Sequence, residues 1–121
     1  MLDICFITDK NCIKKYNISE SMYEKLAKCG FDKVGTFDLK KICVEEEEDE
    51  LEICLLNAET RLKYKTMLEE TRHKELKLLF YSMDDSPTIK EIRKNFEFVK
   101  VLTELVDIIL SEDNKYLWLG Y

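Results

Sequence analysis

Hydrophobic positions along the chain change period several times, and each change predicts an element. Leu2–Thr8 (LDICFIT) is apolar on both faces after Asp3 and rich in β-branched and aromatic residues. Such a run predicts a strand buried on both sides, central in a small sheet, and Asp9-Lys10-Asn11 ends it. In NISESMYEKLAKCGF, Ile18, Met22, Leu26 and Cys29 recur at helical spacing. Ser21 with Glu24 forms a capping box, with Ser19 as a competing N-cap. Gly30 followed by Phe31 supplies a C′ glycine and its hydrophobic contact. Residues 33–43 are irregular, with strand character around Val34–Phe37.

The stretch VEEEEDELEICLL (44–56) admits two readings. The preferred one is a helix from near Glu46 to about Glu70, with Leu51, Cys54, Leu55, Ala58 and Leu62 as its buried stripe. Acids at its first turns would suit the positive end of the helix dipole. The competing reading pairs Lys41–Val44 with Leu51–Leu55 as a hairpin, since Ile42/Val44 and Leu51/Ile53/Leu55 alternate. Against it, the loop lacks the Gly, Asn or Pro that hairpin turns favour.

Residues 59–82 have strong helical composition, with an interruption at Thr71-Arg72-His73 that predicts a kink. DDSPT then stops the helix, and Ser86 with Pro87 starts the next. Ile89, Ile92, Phe96, Val99, Thr103, Val106 and Leu110 step by three and four, a heptad seam. Phe98, Val101, Leu102, Leu105, Ile108 and Ile109 widen it into the pattern of a buried core helix. YLWLGY (116–121) predicts a C-terminal strand that pairs with Leu2–Thr8. The expected fold is a single α+β domain over 1–121. It is predominantly helical, with three to four helices, the last one long and buried. A small sheet includes both terminal strands.

Composition sharpens this. Only three glycines and one proline occur in 121 residues, which argues against a many-turned sandwich or barrel. Net charge is −6, yet residues 44–59 carry eight acids and no base; the remaining chain is therefore +2, because −6 minus −8 leaves +2. One segment sets the sign of the whole protein. An acidic chain disfavours direct nucleic-acid binding and suits a basic protein partner. Five cysteines, with no C-x-x-C and no basic or apolar leader at Met1-Leu2-Asp3, point to reduced thiols in a cytoplasmic setting. No apolar run is long enough for a membrane span.

Candidate chemistry is sparse. The cysteines pair with a single histidine, His73, and none sits in a glycine-flanked turn suited to a nucleophile. Their spacings of 7, 17, 14 and 11 residues do not form a zinc signature. The acidic run lacks the alternation and glycine of a calcium loop, and phosphate-binding or hydrolase motifs are missing. No catalytic residue, metal ligand or cofactor is assigned. Arg61, Lys63, Lys65, Arg72, Lys74 and Lys77 are interleaved with Glu69, Glu70 and Glu75, as on a solvated helix face.

The leading expectation is a small binding protein of inhibitor or immunity type. It would neutralise a basic partner such as a nuclease toxin, presenting carboxylates where a nucleic acid would present phosphates. The expected partner-binding residues are Glu45, Glu46, Glu47, Glu48, Asp49, Glu50, Glu52 and Glu59, with aromatics among Tyr23, Phe80, Tyr81, Tyr116, Trp118 and Tyr121 as anchors. The alternatives are a homodimeric module built on helix 87–111 and a small cysteine- or carboxylate-dependent enzyme.

Overall fold

A computed structural model describes residues 2–44, 46–82 and 88–119. The element order is β1 (Leu2–Thr8), β2 (Ile13–Ile18), α1 (Glu20–Lys28), a 3-10 turn (Phe31–Lys33), β3 (Asp38–Val44), β4 (Glu47–Leu55), α2 (Ala58–Ser82), α3 (Ile89–Leu110) and β5 (Asn114–Trp118). The five strands form one antiparallel sheet in the order β2-β1-β5-β4-β3. The fold is α+β, and the N- and C-terminal strands lie side by side as expected.

β1 is the doubly buried strand its composition implies: Ile4, Cys5, Phe6 and Ile7 are all buried. Its even positions face the helices, where Ile4 and Phe6 join Ile18, Cys54, Leu117, Leu26, Tyr64, Leu68, Leu102, Leu105 and Ile109 in the main core. Its odd positions face the other way, where Ile7, Val44 and Ile53 form a smaller cluster flanked by Ile13, Ile42, Leu51, Tyr116 and Trp118.

The ends of α1 follow local chemistry. Ser19, rather than Ser21, is the N-cap, and its hydroxyl accepts from the Met22 amide at 3.3 Å. Gly30 adopts φ +90, its amide donates to Ala27 at 3.0 Å, and Phe31 is buried beside the Tyr64 ring. This is the left-handed stop that glycine permits without a Cβ penalty.

Other expectations need correction. Ile18 belongs to β2, an edge strand that the sequence pattern hid, and not to the helix. The strand sought at Val34–Phe37 begins instead at Asp38. The helix from Glu46 does not form: β3 and β4 make a hairpin in which Val44 pairs with Glu47 and Asp38 with Ile53. A helix would crowd the acids at i,i+3 and i,i+4, whereas a strand sends alternate carboxylates to opposite faces. The missing turn glycine is replaced by Glu46 itself, at φ +70, a conformation uncommon for non-glycine residues. Helix α3 is long, at 22 residues, but not buried along its length. Phe98, Leu102, Leu105, Val106 and Ile109 face the core, while Ile89 and Phe96 of the heptad seam are 74% and 41% exposed.

Helix α2 passes through Thr71-Arg72-His73 without interruption; the Thr71 hydroxyl donates to the Met67 carbonyl and Arg72 reaches Thr103 Oγ1. At 25 residues α2 is about 37 Å long, and among residues 69–81 only Leu79 is buried. The distal parts of α2 and α3 therefore pack on each other beyond the sheet. The start of α3 expected at Ser86 and Pro87 lies outside the described residues.

Arg61 ties three loops together. Its guanidinium donates to the carbonyls of Leu56 (2.7 Å), Ser111 (2.8 Å) and Asn114 (2.6 Å). The three acceptors belong to the β4–α2 connection, the end of α3 and the entry to β5. Because a buried carbonyl left without its donor is costly, Arg61→Met should lower unfolding free energy by about 3 kcal/mol, measured by urea denaturation. Arg61→Lys should recover little of it, since one ammonium cannot span the three acceptors.

Candidate functional site

The acidic run is displayed on β4, and the pleat sorts it. Odd residues Glu47 and Asp49 share a face with Leu51 and Ile53 and sit opposite Val44 and Ile42 on β3. Even residues Glu48, Glu50 and Glu52 take the other face, opposite Cys43, Lys41 and Leu39. Glu46 occupies the turn, and Glu45 lies outside the described residues. All of Glu46–Glu50 and Glu52 are exposed. Among the described residues none of them forms an ion pair or a side-chain hydrogen bond.

Glu59 does not join this group. It lies at the first turn of α2, is ion-paired to Lys63 at 3.4 Å, and shares a polar cleft with Asp38, Lys40 and Asn57 at the base of the hairpin. The hairpin tip is about 25 Å away by strand rise. Of the seven expected residues that are described, six thus fall on one hairpin and Glu59 falls elsewhere.

The sheet coils so that the hairpin overhangs its helix-free face. Ile13, on one edge strand, and Val44, on the other, line the same cleft together with Glu47, Asp49, Leu51 and Trp118, although three strands separate β2 from β3. Strong right-handed twist makes that approach possible. It also explains how Ile7, Val44 and Ile53 become buried on a face where no described helix packs. Trp118 is the aromatic that sequence reasoning grouped with five others; the register Ile53↔Trp118 places it next to the acidic strand. Tyr23 is buried, so it is no anchor, and Phe80 and Tyr81 are exposed on the distal part of α2, away from the hairpin. Tyr121 lies outside the described residues. That Trp118 neighbours the acids depends on long-range pairing, for which the local sequence carried no signal.

The thiols and the histidine do not converge. Cys5 and Cys54 are buried, while Cys12, Cys29 and Cys43 are exposed. Burial pushes the Cys5 and Cys54 thiols up from their ordinary value, with nearby Asp3 and Asp38 adding to the effect. His73 lies on the exposed side of α2 in a shallow cleft with Thr66, Glu69, Glu70 and Lys74. No group of three or more His, Cys, Asp or Glu side chains among the described residues is placed to hold a metal ion. No described helix is long and apolar enough to cross a membrane. Comparison with protein-family models, with curated proteins and with solved structures returns no match for this chain.

Exposure separates the thiols for experiment. Cys12, Cys29 and Cys43 should react with a chromogenic disulfide reagent under native conditions, and Cys5 and Cys54 only on unfolding; five fast-reacting thiols would contradict the packing. The buried Cys54 and Tyr64 sit together, and burial raises the pKa of both. In the sign convention of linkage, a raised acid binds more protons folded than unfolded above its ordinary pKa. Stability should therefore be insensitive to these groups below pH 9.0, the ordinary thiol value, and fall progressively above it, as thermal melts across pH 8–11 would show.

Proposed function

We propose that this protein is a small protein-binding domain that docks a basic partner on the acidic β3–β4 hairpin, in the manner of an inhibitor or immunity protein that neutralises a nuclease toxin. The observation that carries this reading is the hairpin itself: six exposed carboxylates on one turn and strand, unpaired within the described chain, in a segment with no base between 44 and 59. Unpaired like charges self-repel, a cost that a cationic surface relieves. A rigid strand also fixes the carboxylates in a row with a repeat of about 6.5 Å per face, so the field has direction as well as sign. Cys5 and Cys54 are buried, and no cysteine lines the cleft that holds His73, which favours binding over catalysis.

A second reading, a homodimer, draws on the distal helical arm. Leu76, Leu78, Phe80 and Tyr81 of α2 and Ile89 and Phe96 of α3 are exposed there, more apolar surface than scattered single residues account for. Two such arms packing together would extend the heptad seam of α3 into a four-helix interface. Sedimentation at micromolar concentration decides this, and a clean monomer removes it.

For the basic partner, the test is kinetic. With the protein recovered from the native host on an affinity column, Glu46→Lys combined with Glu48→Lys should slow association with that partner about tenfold or more and flatten its dependence on salt. Dissociation should change less. An association rate and salt slope equal to those of the wild type would show that the hairpin is not the docking surface.

A further inference from the structure

We infer that the cleft between Trp118 and strand β4 receives an arginine side chain of the basic partner, an inference that rests on the docking surface proposed above. The cleft holds about 200 Å³ and is lined by Ile13, Val44, Leu51 and Trp118 with Glu47 and Asp49. Cofactor and drug-sized sites run from roughly 300 to 1,000 Å³, so the space suits one side chain and not a nucleotide. Its apolar part matches an alkyl stem, and its two carboxylates match a cationic head.

The order of groups selects arginine. Glu47 and Asp49 are two residues apart on one strand face, so their Cα atoms stand about 6.5 Å apart. A planar guanidinium offers donors in a fork that reaches carboxylates on both sides, and its flat face stacks on an indole. An ammonium is a compact, strongly hydrated point charge and does neither as well. The chain itself supplies a contrast on the same face. Tyr116 already carries two of its own cations, Lys40 Nζ at 5.7 Å and Lys115 Nζ at 5.3 Å from the ring centre. Trp118, two residues on and flanked by carboxylates, carries none among the described residues. The aromatic ring with acids beside it is the one left open.

Trp118 is the only tryptophan, so its emission reports on the cleft directly. The probe is a nona-arginine peptide, titrated at low salt against the full chain and compared with nona-lysine. Arginine should change the emission saturably and bind several-fold more tightly than lysine. Glu47→Gln with Asp49→Asn, both exposed positions, should weaken arginine binding about tenfold. Glu48→Gln with Glu50→Gln removes the same charge from the opposite face of the same strand, and should weaken it by less than about threefold. Equal losses in the two double variants would overturn the cleft while leaving the acidic hairpin as a docking surface. No loss in either would overturn both. Lysine binding as tightly as arginine would overturn the fork.

Discussion

Strands β1 and β4 each meet their hairpin partner on one side, and on the other side both turn their backbone hydrogen-bonding groups toward β5. Without it the molecule is two separate β-hairpins, and isolated two-stranded hairpins are marginal in water. The five residues Asn114–Trp118 join them, bury Leu117 in the main core and set Trp118 beside β4. The Arg61 guanidinium, bonded to carbonyls on either side of this junction, fixes where β5 enters. The last strand of the chain thus lies at the centre of its sheet, and the sheet closes only when β5 docks.

The acidic surface inherits its geometry from that closure. Docking of β4 on β5 fixes Ile53 opposite Trp118, and the two-residue side-chain period then decides which face every carboxylate takes. What reads in one dimension as a block of like charge becomes two rows with different surroundings. Glu48, Glu50 and Glu52 are exposed on one face. Glu47 and Asp49 are exposed on the other, in the cleft they line with Ile13, Val44, Leu51 and the Trp118 indole. In the proposed function, long-range steering and local recognition then fall to alternate residues of a single strand.

Much of the fold was legible because its signals were local. The continuous apolar run of β1, the Gly30-Phe31 helix stop and the helical composition of 59–82 each state their own structure, and the aromatic C-terminus paired with β1 as its composition suggested. The failures share a cause. IKKYNI (13–18) is a strand with an edge position and mostly polar surroundings, so it shows no clean alternation. The acidic half of β4 has poor intrinsic strand propensity and is held extended by pairing with β3. The seam of α3 has the right period, but the covered face is the adjoining row Phe98, Leu102, Leu105 and Ile109, and Val106 alone of the seam is buried among the described residues, so periodicity found the helix and misjudged which face is covered. For the candidate site the sequence supplied the charges, and only the strand register supplied Trp118 and the division of the acids.

The proposed docking surface therefore depends on the register of the β3–β4 hairpin against β5, because a slip of one residue would exchange the two faces. Nuclear Overhauser contacts from the single indole ring test it directly. Contacts are expected from Trp118 to the side chains of Glu47 or Asp49 and Leu51, together with Ile13 from the opposite edge of the sheet. Contacts to Glu48 and Glu50 in their place, or sequential amide contacts of a helix through Glu46–Glu52, would contradict it.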